Sequence, residues 1–153
     1  QKEKIMAELL KNGGKRLLRT YNGKYIAGHE DKGCSWFCWD KSVTKAGRAV
    51  GNEQYWRIER KSDDKIVFKA SNGQYMCDDT GPVSGVVKLV DDVNSNCVLW
   101  TPELNDDGTW SFMHTKHGHG IRYDSWLSAH RPDEWVETQS DKLGCEKFRL
   151  ELW

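Results

Sequence analysis

The sequence contains no apolar run approaching the about 20 residues that a membrane-spanning helix needs, so no transmembrane segment is predicted. It also has no excess of either charge, because lysine plus arginine and aspartate plus glutamate both number 23. A chain without net charge has no strong overall field to attract nucleic acid. We therefore expect neither a membrane-spanning protein nor a nucleic-acid-binding one.

Common catalytic signatures are missing as well. The chain has no Gly-x-Ser-x-Gly, no His-Glu-x-x-His and no glycine loop that could bind phosphate. Asp78 and Asp79 are adjacent, but neighbouring strand residues face opposite ways and so do not form an acid–base pair. We expect a non-enzymatic protein without a cofactor.

Cysteine is too scarce for a disulfide scaffold, since the 153-residue chain has five. An odd number means that at least one thiol is free or paired outside the chain. Cys34 and Cys38 are separated by three residues, which is not the spacing of a redox Cys-x-x-Cys motif.

The residues that are present divide the chain into a short lead-in and a long β region. In residues 1–14, Ile5, Met6, Leu9 and Leu10 have helical spacing, and an Asn-Gly-Gly stop signal follows them. This pattern predicts a short amphipathic helix or a frayed tail. From residue 15 onward, short alternating runs separated by turn residues predict an all-β domain over 15–153.

The β region repeats itself three times. The first motif begins with an apolar residue and a basic or imidazole residue. A glycine follows five places after the first residue, and an apolar residue closes the motif. Its copies begin 50 and 45 residues apart, at Leu18, Phe68 and Met113, with glycines Gly23, Gly73 and Gly118 and closing residues Ile26, Met76 and Ile121. A second motif, an aromatic residue with a glutamate three positions later, has copies 44 and 48 residues apart, at Trp56–Glu59, Trp100–Glu103 and Phe148–Glu151.

A third apolar run lies between the two motifs in each copy: SWFCWD (35–40), VVKLV (86–90) and WLSAH (126–130). Each repeat is therefore predicted to have four strands, with repeats at about 15–62, 63–106 and 107–153. One repeat cannot bury its own apolar side, so three must close around a shared core.

Three such four-stranded units resemble a β-trefoil. The phrase NGKYIA at 22–27, followed by WRIE at 56–59, is similar to the repeat of the fascin and hisactophilin group, and amaranthin-type agglutinins carry a similar phrase. The Gln-x-Trp motif of ricin-B-type trefoils is absent, which argues against that subgroup. The resemblance implies that the two apolar sets of the first motif and the aromatic residues of the second fill the barrel. The three glycines then occupy hairpin positions with positive φ.

Candidate binding residues follow the core apolar residue of the second strand in each repeat. Acidic residues occur there, at Glu30 and Asp31, at Asp78 and Asp79, and at Asp124, and tryptophans without a necessary core role lie close behind in two repeats. A carboxylate beside an aromatic face is what a shallow sugar site requires. The third repeat is the primary candidate, with Arg122, Tyr123, Asp124, Trp126, His130 and Trp135; Trp36 and Trp39 mark a weaker equivalent in the first. The alternative is that the acidic turns cap hairpins and half of these tryptophans are packing residues.

Three histidines, His114, His117 and His119, share one hairpin. Such a group can bind a transition metal or act as a pH-sensitive patch, as in hisactophilin-like proteins. No cysteine or carboxylate lies within this run to complete a ligand set, so we expect no metal site.

One disulfide is predicted from the repeat pattern. Cys77 follows the core residue of a second strand, and Cys97 precedes the fourth strand of the same repeat, so the two can be bridged. A Cys34–Cys38 bridge is less favoured because so short a loop strains the geometry. A fully reduced protein stays open as an alternative. A bridge would favour a secreted protein over a cytoplasmic one.

The leading hypothesis is a non-enzymatic, lectin-like β-trefoil that binds a glycan or glycoprotein. The alternative is a protein-binding trefoil, either an actin-binding module of the fascin or hisactophilin type or a protease inhibitor that offers a loop.

Overall fold

One short α-helix, three 3-10 turns and twelve strands make up the regular structure in the described part of the chain. A computed structural model describes residues 1–28, 37–40, 54–78, 87–118, 120–129 and 136–153, and for residues 12, 37–40, 116–118 and 121 it describes the backbone alone. The helix is α1 (Lys2–Leu9). The strands are β1 (Lys15–Arg19), β2 (Tyr25–Gly28), β3 (Phe37–Asp40), β4 (Tyr55–Arg60), β5 (Ile66–Ala70), β6 (Tyr75–Asp78), β7 (Val87–Val90), β8 (Thr101–Leu104), β9 (Trp110–Gly118), β10 (Ile121–Ser128), β11 (Glu137–Gln139) and β12 (Arg149–Leu152).

Six of these strands close into a barrel. β1 pairs antiparallel with β12 and with β4, β4 pairs with β5, and β8 pairs with β9. Two isolated bridges complete the ring: Ile66 pairs with Trp100 just before β8, and Trp110 pairs with Phe148 just before β12. The barrel strands are therefore β1, β4, β5, β8, β9 and β12.

The other six strands form three antiparallel pairs, β2–β3, β6–β7 and β10–β11. Each pair continues from a barrel strand, through β1–β2, β5–β6 and β9–β10. Neighbouring pairs also meet, since the Val87 N–H donates to the Val136 carbonyl at 2.9 Å. Three units of barrel strand, strand pair and barrel strand make the protein a β-trefoil, as the repeats predicted.

The aromatic residues of the second motif are confirmed as core. Trp56, Trp100 and Phe148 are fully buried. The Trp56 Nε1 donates to the Ile26 carbonyl at 3.1 Å, and the Trp100 Nε1 donates to the Met76 carbonyl at 3.2 Å. Each buried indole N–H thus has a hydrogen-bond acceptor, the backbone carbonyl of the core residue in the second strand of the same repeat.

The barrel residue of the third repeat is Phe112, and the prediction of Met113 was wrong by one position. Phe112 is fully buried, and its ring centroid lies 4.9 Å from that of Phe68 in an edge-to-face contact. Met113 is half-buried on the opposite face of β9. A one-residue shift of register exchanges the two faces of a strand. With Phe112 in the core, the described side chains of β9 therefore lie on the face opposite to the one that the sequence predicted.

The cause is a longer hairpin in the third repeat. Eight positions separate Leu18 from Ile26, whereas 15 separate Phe112 from Leu127, the fully buried counterpart of Ile26. Ile121, which we predicted for that place, pairs with Gly118 at the far end of the hairpin.

Two further predictions on this hairpin were also wrong. Gly118 is the last residue of β9, and Gly120 has the positive φ, 75°. Residues 126–128 of the WLSAH run belong to β10, the second strand of the repeat, and β11 is its third. By contrast, Gly23 and Gly73 have positive φ values of 82° and 90°, as predicted.

The predicted amphipathic helix is confirmed as α1. Met6 and Leu9 are buried in the main core cluster, and Ile5 and Leu10 pack against it. Ion pairs with Arg60 and Asp64 hold the exposed side of α1, through Glu3 and Lys2 respectively. The helix is therefore fixed on the barrel. No helix in the described residues is long and apolar enough to cross a membrane.

The predicted Cys77–Cys97 disulfide is confirmed, with a Cα–Cα distance of 4.8 Å. It ties β6 to the short 3-10 turn at residues 96–98 that precedes β8. Cys145, in the related turn of the third repeat, has a free thiol. The alternative pair Cys34 and Cys38 lies outside the residues whose side chains are described.

Candidate functional site

An aromatic residue occupies the same place in each of the three hairpins, just before the buried core residue of the second strand. These residues are Tyr25, Tyr75 and Trp126. Each pairs across the hairpin with a barrel residue: Arg19, Lys69 and Met113. Each barrel residue pairs in turn with the residue that follows the core aromatic of the second motif: Arg149, Arg57 and Thr101.

The glutamates of the second motif, Glu151, Glu59 and Glu103, lie two positions further along these last strands and share their outer face. We call each set of four residues a platform, numbered by repeat. Platform 1 is Tyr25, Arg19, Arg149 and Glu151; platform 2 is Tyr75, Lys69, Arg57 and Glu59; platform 3 is Trp126, Met113, Thr101 and Glu103.

Platform 1 is closed by its own side chains. Tyr25 is fully buried, and its hydroxyl donates to Glu151 Oε1 at 2.5 Å. Arg19 Nη1 donates to the other carboxylate oxygen, Oε2, at 3.2 Å. The aromatic, the cation and the carboxylate satisfy one another, which leaves no exposed aromatic face for a ligand.

Platform 3 is open. Met113 takes the place of the cation, and Trp126 is half-buried with no hydroxyl to bond to Glu103. A cavity of about 430 Å³ lies beside the indole, within the size range of ligand pockets. Its apolar lining residues are Ile5, Met6, Pro102, Leu104, Met113 and Trp126, and its polar ones are Gln1, Lys2, Asp64, Thr101 and Glu103. We call this space the Trp126 cavity.

Lys142 contacts two residues that line the Trp126 cavity, Glu103 and Trp126. Its ammonium group forms an ion pair with Glu103, donates to Asn105 Oδ1 at 3.0 Å, and lies 5.1 Å from the centroid of the Trp126 ring. Burial lowers the pKa of Lys142, and the nearby charge of Lys147 lowers it further.

A polar extension continues from Trp126 along the outer face of β10. Arg122, Asp124 and Trp126 are each two positions apart on β10 and so lie on the same face of that strand. Arg122 Nε donates to Asp124 Oδ1 at 3.1 Å, and the Thr115 hydroxyl donates to the same oxygen at 2.8 Å. Two strand residues span about 7 Å, so this carboxylate is within reach of a ligand that contacts the indole. Tyr123 lies on the opposite face.

Other predicted site residues lie elsewhere. Asp78 is buried at the end of β6, 2% exposed, and does not lie on the outer surface. Trp39 belongs to β3, where only the backbone is described. Six predicted residues fall outside the described part of the chain: Glu30, Asp31, Trp36, Asp79, His130 and Trp135.

The histidine hairpin offers no metal site in the part of the chain that is described. His114 is buried, and its Nδ1 lies 2.9 Å from the Leu99 carbonyl. The side chains of His117 and His119 lie outside the described residues. Among the side chains that are described, no group of three or more histidine, cysteine, aspartate or glutamate residues could hold a metal.

Sequence reasoning missed Glu103, Lys142 and the wall that α1 contributes. Glu103 was identified as part of the second motif but not as a site residue. The available signal was Met113, which stands in platform 3 where platforms 1 and 2 have Arg19 and Lys69. Lys142 and α1 carry no local signal, because they reach the cavity only when the barrel closes.

Comparisons with known proteins support the fold. No protein-family model matches the chain, and no curated protein matches it. A designed threefold-symmetric protein, ThreeFoil, superposes with a TM-score of 0.70 at 14% identity, covering 90% of this chain and 97% of that one. A GlcNAcα1-4Gal-releasing endo-β-galactosidase from Clostridium perfringens superposes with a TM-score of 0.68 at 12% identity, covering 89% of this chain. The chain spans 31% of that enzyme's length.

Proposed function

We propose that this protein is a non-enzymatic carbohydrate-binding module and that its binding site is the Trp126 cavity. The observation that carries the proposal is the contrast between platforms related by the same threefold pattern. In platform 1 the aromatic ring is fully buried and bonded to Glu151, whereas in platform 3 the indole stays half-buried beside a cavity of about 430 Å³, although Lys142 pairs with Glu103.

The chemistry of the cavity suits a sugar ring. The indole face can pack against the C–H groups of a pyranose, and Ile5, Met113 and Leu104 extend that apolar contact. Glu103 and Lys142 supply an acceptor and a donor at the edge, where hydroxyl groups project from a stacked ring. A few polar groups around an apolar floor are what a small-ligand site requires.

Binding without hydrolysis fits the two carboxylates that line the cavity. Glycoside hydrolysis needs one protonated and one ionised carboxyl group that face the same bond. Here Glu103 pairs with Lys142, while Asp64 lies 3.3 Å from Lys65 and 3.9 Å from Lys2. Both carboxylates are thus engaged by lysines, which supports a binding role.

The choice of probes follows from the fold neighbour. The endo-β-galactosidase releases GlcNAcα1-4Gal, and this chain matches about a third of it. Oligosaccharides that contain galactose and N-acetylglucosamine are therefore the first ligands to titrate. One shallow site binds weakly, so a multivalent glycan array should precede calorimetry on single oligosaccharides.

The test is the effect of Trp126→Ala on the affinity for the best array ligand. We expect a loss of about 2 kcal/mol, roughly thirtyfold, because an aromatic anchor at the centre of a site carries much of the binding energy. Trp153→Ala is the matched control, since Trp153 is 44% exposed and packs against Tyr55 away from the cavity. It should leave the affinity unchanged.

Two results would overturn the proposal. One is an array without binding, together with actin co-sedimentation or inhibition of a protease from a panel. The other is saccharide binding that Trp126→Ala leaves intact. Release of reducing sugar from a bound oligosaccharide would refute the non-enzymatic part alone.

A further inference from the structure

The two cations of platform 2, Arg57 and Lys69, continue through Lys15 into a row of three, and no such row occurs at the other two platforms among the described residues. Lys15 in β1 pairs with Arg57 in β4, and Arg57 pairs with Lys69 in β5. Residues directly opposite across antiparallel strands lie about 5 Å apart, so three positive side chains follow one another within about 10 Å. Like charges in such positions destabilise a sheet, so the row needs an explanation beyond folding.

Within the described residues, no carboxylate forms an ion pair with Lys15, Arg57 or Lys69. The ammonium of Lys15 lies 4.9 Å from the Tyr55 ring centroid, that of Lys69 lies 5.9 Å from the Tyr75 centroid, and Arg57 donates to the Gly13 carbonyl at 3.4 Å. In platform 1 the matching glutamate, Glu151, binds the matching cation, Arg19.

In platform 2 the matching glutamate behaves differently. Glu59 is half-buried on the same face as Arg57, but among the described side chains it forms no ion pair with the row. The three cations are thus available to an external anion, and two tyrosine rings border them.

We propose that Lys15, Arg57 and Lys69 form a binding site for an anionic glycan chain that bears sulfate or carboxylate groups. The guanidinium of Arg57 can donate two parallel hydrogen bonds to one anionic group, and the flanking ammonium groups bind its neighbours as point charges. Tyr55 and Tyr75 offer apolar faces to the sugar rings between those groups. The site is separate from the Trp126 cavity and does not depend on binding there.

The size of the row favours a glycan over a nucleic acid. A nucleic-acid surface neutralises many phosphates through an extended basic face, which usually gives the domain a high pI. This chain has no net charge and a pI of about 7.1, and the row holds three cations. Such a short site matches the spaced anionic groups of a polysaccharide, with saccharide rings between them.

The test measures binding of the whole chain to a heparin oligosaccharide by calorimetry at several salt concentrations. We expect binding that weakens as ionic strength rises, because the contacts are between partly exposed charges. Arg57→Gln should lower the affinity roughly tenfold, as loss of hydrogen bonds to a charged group does. The double variant with Arg57→Gln and Lys69→Gln should abolish binding of the heparin oligosaccharide. Hyaluronan, which has carboxylates only, and desulfated, N-acetylated heparin separate recognition of sulfate from recognition of carboxylate.

Arg149→Gln is the matched control. It removes one cation from the position related to Arg57, where the neighbouring Arg19 is already paired with Glu151 at 3.2 Å, and should keep nearly full affinity. Thermal unfolding separates binding from folding, because removal of like-charge contacts should leave the melting temperature unchanged or raise it. Equal losses in the Arg57 and Arg149 variants, no heparin binding by the parent chain, or equal affinity for single-stranded DNA would overturn the proposal.

Discussion

The register of β9 can be tested by truncating two adjacent side chains, Phe112 and Met113. Phe112 is fully buried and lies 4.9 Å from Phe68 and 6.3 Å from Phe148, measured between ring centroids. Phe112→Ala should therefore cost about 3–5 kcal/mol of unfolding free energy, the usual penalty for such a cavity. Met113 is half-buried beside an existing cavity, so Met113→Ala should cost about 1 kcal/mol or less.

Urea unfolding followed by tryptophan fluorescence measures both values, with the disulfide kept intact. For a chain of this length, about 2–4 °C of melting temperature corresponds to 1 kcal/mol, so Phe112→Ala should melt about 6–20 °C lower. Equal losses, or a larger loss for Met113→Ala, would refute the register. The site depends on this result, because the same register turns Trp126 and Asp124 outward.

Two further predictions concern the features that hold the repeats. Replacement of Cys77 and Cys97 by serine should lower the unfolding free energy by about 3 kcal/mol, because the bridge closes a loop with a sequence separation of 20; an unchanged urea midpoint for the oxidised parent and the variant would contradict this. Glu151→Gln should cost about 1–3 kcal/mol, because it weakens the acceptor for the buried Tyr25 hydroxyl and for Arg19, whereas Glu59→Gln at the related position should be nearly neutral. Equal losses in the two glutamate variants, measured by urea unfolding, would show that platform 1 is not held closed by its carboxylate.

The fold could be predicted because two different motifs each recur three times at similar spacings along the chain. An aromatic residue with a glutamate three positions later marked the barrel in every repeat, and buried Trp56 and Trp100 have equivalent partners. The third hairpin could not be aligned from the sequence, because 15 positions separate Phe112 from Leu127, whereas eight separate Leu18 from Ile26. The shorter spacing of the other repeats selected Met113 and Gly118, and only the pairing across the hairpin shows the longer one.

The site could be predicted in part. Trp126 stood out because a trefoil core has no need of it. Asp124 was selected as a residue that follows the core residue of the second strand, but it lies within β10, three positions before the core residue Leu127. Lys142 could not be found, because it is 16 positions from Trp126 in the chain and meets Glu103 only through closure of the barrel. Platforms 1 and 2 look alike in sequence, with a tyrosine, a cation and a glutamate. Whether the glutamate binds the cation depends on side-chain geometry.

The indole N–H signal of Trp126 in a ¹H–¹⁵N correlation spectrum gives the most direct test of the Trp126 cavity. It is assigned by its absence in Trp126→Phe and followed during titration with an oligosaccharide of galactose and N-acetylglucosamine. We expect this signal to shift until the protein is saturated, while the signals of Trp56 and Trp100, buried and bonded to backbone carbonyls, stay in place. A saccharide that binds and leaves the Trp126 signal unmoved would contradict a binding site in the Trp126 cavity.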